Sequence, residues 1–486
     1  MKNLFVSVLL LIVLSSLVLA QTPTDGKPEQ SQPPAAQSNT MQLKEEMEKL
    51  VNGSPGAVTP PNPNKDDRVD GMKQAIMSYT YSGKGKTEQA KASAQEAVRL
   101  LAGVSDPGAL YARGVSYHQL EQYDMAIADF DRAIRLEPKS MMFYHSRGDA
   151  YFEKGNYDRA IADYGKATQL DPQTMIAYLG RGNAYSKKGE YKQAIADFDK
   201  AIQLDPQEVR AYFGRANAYY YTSDYNRALP DLNRIIELAP EKKAGYHTLR
   251  GILYSEKGDH DRAIADYSEA LRLNPQDVIS YLMRGKMYSE KGDRDRAIAD
   301  FDRTIQLDPG KTDAYSYRGY AYFVKGDAER ALADLDKAIQ LNPQETPAYF
   351  YRGCIHSGKG DYDRAIADFD KVVQLAPARM VVHAYFNRGI AYDSKGDHNR
   401  ALADFDRVIK LKPGNADPYL YRGNTYSSKG DYSRAIADYS EAIRREPTSA
   451  PAYQNRAKAY EKLGESAKAQ ADRVKIAELE REAKKP

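Results

Sequence analysis

The sequence predicts an all-α fold, a solenoid of about eleven antiparallel helix pairs of 34 residues each. Three observations carry that prediction. Prolines fall at 138, 172, 206, 240, 275, 309, 343, 377, 413 and 447, at intervals of 34, 34, 34, 35, 34, 34, 34, 36 and 34. Between them, apolar and small residues recur three and four apart in two runs, as two amphipathic helices require. A short turn such as Gly189-Glu190 separates the two runs of each unit.

With the proline of each unit numbered 32, the unit ending at Pro206 starts at Met175. Its first helix carries Tyr178, Gly182 and Tyr185 at positions 4, 8 and 11, and its second carries Ala194, Phe198 and Ala201 at 20, 24 and 27. Position 8 is Gly in nine units and Ala in two, Ala216 and Ala457. A glycine inside a helix costs roughly 0.5–1 kcal/mol relative to alanine, so its recurrence implies a close helix approach. The expected partner is the alanine at position 20, for instance Ala194 opposite Gly182. Arg stands at position 7 and Asp at position 23 in all eleven units, from Arg113 and Asp129 to Arg456 and Asp472. Their joint recurrence implies an Arg–Asp ladder, within each repeat or to its neighbour.

Tyr178, Gly182, Tyr185, Ala194, Phe198, Ala201 and Pro206 together resemble the tetratricopeptide repeat signature, with Tyr in place of its first Trp. The resemblance implies that the pairs stack into a right-handed superhelical solenoid, and ten full units cover residues 107–449. A degenerate eleventh (Tyr453, Ala457, Tyr460, Gly464, Ala471) and a charged capping helix fill 450–486, and a degenerate leading helix pair fills 68–106. Arg at position 7 departs from the family's usual Leu. In the fourth unit Pro230 falls inside the second helix, where it is expected to introduce a kink, and Ser223 replaces the turn glycine. Extra residues near Lys243 and Met380 are expected to widen two inter-repeat loops.

Residues 1–20, MKNLFVSVLLLIVLSSLVLA, read as a signal peptide: Lys2, then an apolar run from Leu4 to Leu19, then Val18-Leu19-Ala20 at a cleavage site. Export to a periplasmic or extracellular space is expected. The alternative is an uncleaved membrane anchor, and membrane contact is expected only in that case. Residues 21–67 are rich in Pro, Gln and Ser and read as a disordered linker, with a short helix at 41–51 and a glycosylation sequon at Asn52-Gly53-Ser54.

The chemistry of a catalytic site is not discernible in this pattern. Seventy Lys and Arg against 67 Asp and Glu give a net charge of +3, too balanced for a nucleic-acid surface. A single cysteine, Cys354, excludes an intrachain disulfide, and the seven histidines have no metal spacing. Cys354 and His356 lie two apart on a helix and so face different ways. SGKGKTE at 82–88 lacks the first glycine of a phosphate loop, with Thr80 in its place, and reads as a helix-pair turn. The two carboxylates of the repeated ADFD also lie two apart and cannot flank one atom. Of 38 tyrosines, 25 sit at positions 4, 11 and 17, where packing accounts for them. No catalytic residue, cofactor or metal is expected.

The resemblance implies that first helices line a concave groove through positions 2, 5, 9, 12 and 13. Position 9 varies as a partner-reading position should: Val115, Asp149, Asn183, Asn217, Ile252, Lys286, Tyr320, Cys354, Ile390, Asn424 and Lys458. Phe213, Asn217 and Tyr220 form one stripe, with Tyr221, Asn183, His145 and Phe152 nearby. Tyr320, Phe323, Phe350 and Phe386 form a second. Exposed rings beside amides suit anchoring of a protein or peptide segment. The Lys, Arg and Asn set with which some relatives hold chaperone tails is not reproduced. The reading is a non-enzymatic exported scaffold for protein–protein interaction, in envelope assembly or secretion by resemblance. A self-assembling structural solenoid is the alternative.

Overall fold

The computed structural model describes residues 65–375 and 378–483, so the signal peptide, the linker up to residue 64 and the helix expected at 41–51 lie outside the described residues. The described residues form 24 α-helices and one 3₁₀ turn, with no strand among them. By its contacts the chain divides into two units, Met1–Ser280 and Tyr281–Pro486. The first holds the leading pair, Lys65–Gly83 and Thr87–Leu100, and repeats 1 to 5; the second runs from helix A of repeat 6 to the cap. The leading helix starts at Lys65, inside the stretch whose composition reads as linker. SGKGKTE forms the turn of this pair, around Gly85.

Within each repeat, helix A ends in a glycine at position 15 with φ between 74° and 89° in nine repeats. Glu121 and Ser223 take the same left-handed conformation, at φ 60° and 59°, where a side chain is strained. An aspartate at position 16 commonly caps helix B, as Asp224, Asp259, Asp293 and Asp431 do by accepting from the backbone N–H three residues on.

The Arg–Asp ladder is present in every repeat. Arg Nε and Nη2 donate to the two oxygens of the Asp sixteen residues later, at 2.5–2.9 Å. All eleven aspartates are buried. In eight repeats the third nitrogen, Nη1, reaches back to position 25 of the preceding repeat: Asp131, Asp199, Asp302, Asp336, Asp370 and Asp406 accept from Arg147, Arg215, Arg318, Arg352, Arg388 and Arg422. Asn233 and Ser440 take that place for Arg250 and Arg456, whereas Arg181, opposite Gly165, donates to Thr168 Oγ1. The two carboxylates of ADFD therefore serve two different arginines. Nine tyrosines at position 4 lie 5.2–5.8 Å from the guanidinium of their own repeat, a cation–π cover that explains the tyrosine excess. Burial raises Asp163, Asp231 and Asp300 above the ordinary carboxylate value despite the arginine beside each. A pair so desolvated fixes geometry more than it adds net stability.

The position-8 glycine faces the aromatic ring at position 24, not the alanine at 20. A Cβ on Gly182 would lie 2.8 Å from Phe198 Cε1, and the same clash recurs at Gly114 with Phe130, Gly251 with Tyr267 and Gly389 with Phe405. The ring reaches farther across the helix pair than the alanine methyl, so it sets the limit. Where position 8 is Ala216, position 24 is Leu232; where it is Ala457, position 24 is Arg473. The glycine is thus given up only where the ring is absent.

The extra residues do not widen loops. Those of repeat 9 lengthen helix A to 17 residues, Ala378–Ser394, and that of repeat 5 is taken up by the 3₁₀ turn Pro240–Lys242 running into Lys243–Glu256. Continuing a helix satisfies the added backbone groups internally, which a loop would leave to solvent. Helix B of repeat 4, Tyr225–Leu238, continues through Pro230, whose side chain is exposed.

Two outcomes follow in urea denaturation. Gly182→Ala should cost about 1–3 kcal/mol through overpacking, and Phe198→Leu in the same chain should recover most of it. Arg181→Leu and Asp197→Leu should each cost about 3–5 kcal/mol by stranding a buried charge, with the double variant costing less than their sum. Strict additivity would remove the ladder.

Candidate functional site

Helix A of repeat 4, Val209–Tyr221, brings Phe213, Asn217 and Tyr220 together on one wall of an apolar cleft. Ala216, Leu232, Leu249 and Leu253 complete the lining, around about 300 Å³ of space that includes the open mouth. The cleft lies where the position-24 ring is missing. In repeat 3, Phe198 packs between Gly182 of its own repeat and Gly214 of the next. In repeat 4, Leu232 cannot fill the equivalent space, and Leu249 and Leu253 close it only in part. Asn217 Oδ1 is buried without a hydrogen-bond partner.

The expectation of exposed rings needs correction. Tyr220 is 6% exposed and His145 8%. Tyr220 is packed by Tyr221 and Tyr225, at 5.7 and 5.9 Å between ring centroids. His145 lies edge-on to Tyr164, the ring that occupies position 24 of its repeat, so it serves packing. Phe152 packs on Tyr157, Tyr221 stacks on Tyr191 at 5.1 Å, and Asn183 is exposed. Large side chains on this face turn toward neighbouring helices because burying the ring is worth more than displaying it.

Tyr79, outside the expected groove set, and Arg210, at position 2 of repeat 4, enter the same face. Tyr79 of the leading pair sits within electrostatic reach of Asp149 and Arg210; burial, reinforced by Asp149, raises its hydroxyl well above the ordinary phenol value, and Arg210 opposes. Arg210 is held by both oxygens of the buried Glu208, at 2.8 and 2.6 Å. Its own side chain remains 47% exposed.

In the second unit, Tyr351 ties the second stripe together. Its ring centroid lies 4.7 Å from Tyr320, 6.2 Å from Phe323 and 5.5 Å from Phe350. Position 6 is outside the groove set, so no sequence signal marked Tyr351. Phe386 packs on Phe405 and Tyr421 and shares with Phe350 the apolar cluster around Phe369 and Phe405. Asn424 is occupied structurally, accepting from Tyr439 Oη and Asn455 Nδ2. Asp313, Tyr317 and Glu345 make a half-buried polar patch beside Tyr351. Burial raises both carboxyls; Asp313 adds to the rise at Glu345, and Lys311 and Lys286 oppose it at Asp313.

Among the described residues, no group of His, Cys, Asp and Glu could hold a metal ion, and no helix is long and apolar enough to cross a membrane. Burial pushes the Cys354 thiol up to about 11. Thiolate is therefore scarce at neutral pH. Iodoacetamide should leave native Cys354 largely unmodified at pH 7 and label it rapidly once urea unfolds the chain; equal rates would contradict that burial.

Comparison with known proteins agrees with this architecture. TPR repeat models match residues 148–189, 182–223 and 423–464. Further tetratricopeptide repeat models match 107–140, 209–242, 244–277, 282–346, 346–379, 382–415 and 450–482. Among curated proteins none matches. Similar solved structures include the APC/C hetero-tetramer Cut9-Hcn1, 15% identical over 87% of this chain and 93% of that one, with a TM-score of 0.43. A tetratricopeptide repeat protein from Parabacteroides merdae is 20% identical over 52% of this chain and 99% of its own, with a TM-score of 0.41. YrrB, described as a TPR protein with an unusual peptide-binding site, is 26% identical over 47% of this chain and 97% of its own, with a TM-score of 0.29. With repeat models matching well over half of its length, the chain belongs to the tetratricopeptide repeat family.

Proposed function

We infer that this tetratricopeptide solenoid, a scaffold of the kind that serves protein–protein interaction, is a non-enzymatic, exported example that docks a protein or peptide segment along its A-helix face. One observation carries the reading: packing positions repeat while the A-helix face changes from copy to copy, and in each unit that face keeps aromatic side chains half-open to solvent, Phe213 in the first and Tyr320 and Phe323 in the second. Half-open rings lose little entropy on ordering and gain area when covered, as interface anchors do. The recurrent Arg, Asp and Tyr are engaged in holding helices together, which leaves them no catalytic part. Export rests on Lys2, the apolar run Leu4–Leu19 and Ala20, and envelope assembly or secretion is the setting it fits.

Crosslinking in the producing cells, followed by capture of this chain, tests the reading. The wild type should recover one recurrent partner, and Phe213→Ala with Tyr320→Ala should lose it while circular dichroism is unchanged. Light scattering should give a constant mass over a concentration range; growth with concentration supports the self-assembling alternative. Mass spectrometry of the exported chain should find Gln21 at its N-terminus, and a membrane-bound chain retaining residues 1–20 would mean an anchor.

A further inference from the structure

Eight repeats preserve one compensation between positions 8 and 24, and repeat 4 departs from it in a way that leaves space. At Gly114, Gly148, Gly182, Gly251, Gly285, Gly353, Gly389 and Gly423 the missing Cβ makes room for a Phe or Tyr ring. In repeat 7, where position 24 is Leu335, Gly319 is kept and Tyr351 of the next repeat packs on the same cluster. Only repeat 4, among these, combines Ala216 with Leu232 and follows them with Leu249, and only there do these groups line a cleft with Phe213, Asn217 and Tyr220. Its lining is almost wholly apolar, so water gains few hydrogen bonds by filling it. Asn217 is the exception: a buried Oδ1 without a donor. An orphan acceptor of this kind costs stability unless something supplies an N–H.

Resting on the groove reading above, we propose that this cleft is a specificity pocket for one leucine- or methionine-sized side chain of an extended partner segment, with Asn217, whose Oδ1 is buried in the free chain, turning to accept the backbone N–H beside that side chain. The flexible, unbranched-at-Cβ side chains suit it because the vacancy is that of a ring reached from its rim. An acidic or basic side chain is rejected, since the seven lining residues offer it no counter-charge.

The test uses random linear peptides displayed on phage, selected on the full chain. The wild type should enrich peptides sharing one Leu or Met at a fixed place, and replacing it by Ala should weaken binding about tenfold or more, as the loss of methylenes from an apolar pocket does. Ala216→Gly with Leu232→Phe imports the glycine–ring pair found in eight other repeats, five of them with Phe, so it should fold and melt no lower while filling the pocket. Peptides selected on that variant should lose the Leu or Met preference. Enrichment that persists unchanged overturns the pocket and leaves the groove reading standing; a wild type that selects no peptide at all overturns both. Asn217→Ala should keep the preference and weaken the same peptides about three- to tenfold, the value of one neutral hydrogen bond; full affinity in Asn217→Ala removes the N–H contact from the proposal. A chain mass that grows with concentration, and stops growing in Ala216→Gly/Leu232→Phe, would make a second copy the occupant and overturn the peptide assignment.

Discussion

The guanidinium at position 7 touches three helices at once. It lies on helix A of its repeat, grips the position-23 carboxylate on helix B with two nitrogens, and reaches position 25 of the preceding helix B with the third, as Arg215 does with Asp231 and Asp199. A planar fork with fixed donor directions can make that three-way contact, and a lysine cannot. Packing follows from it. The tyrosine at position 4 covers the guanidinium face, the alanine at position 20 lies buried, and the ring at position 24 is driven into the glycine at position 8.

The pairing is an expensive way to hold helices, because burial works against the very charges it uses. Asp163, Asp231 and Asp300 are all raised by burial in spite of their arginines, whereas Asp266, which accepts from both Arg250 and His247, is held below the ordinary value against the same burial. By linkage, Asp266 adds stability above its unfolded pKa that is lost as pH falls through its folded one. The raised aspartates act in the opposite sense, and their contribution fades as pH rises through their folded values. What the ladder supplies is register: an Asp buried opposite anything but this arginine would be uncompensated, so helices cannot slide to a neighbouring packing.

Much of this was legible in the sequence because a repeat states its packing rule eleven times. The period located the helix pairs, and the constant spacing of Arg113 to Asp129 and its ten counterparts identified the ladder. The partner of Gly182 was misplaced because spacing names the helices that approach but not how far each side chain reaches; Phe198 extends past Ala194 to the closest point. The inserted residues near Met380 became helix because an amphipathic run continues whenever its backbone can hydrogen-bond to itself. The groove residues were the least legible. Tyr220, His145 and Asn424 vary as readers of a partner would, yet each is held by its neighbours, and Tyr351, Leu249 and Leu253 matter through contacts made across repeats. A position rule derived from one helix does not contain the neighbouring helix that covers it.

Position 25 also makes the joints of the array unequal. Repeats 3 and 4 are tied by a charged bond, Arg215 to Asp199, whereas repeats 4 and 5 are tied by a neutral one, Arg250 to Asn233. The cleft spans that neutral joint, with Phe213, Asn217 and Leu232 on one side and Leu249 and Leu253 on the other. Anything seated there touches both repeats across a joint that the ladder ties by a neutral bond, so occupancy adds a contact where position 25 supplies no charge.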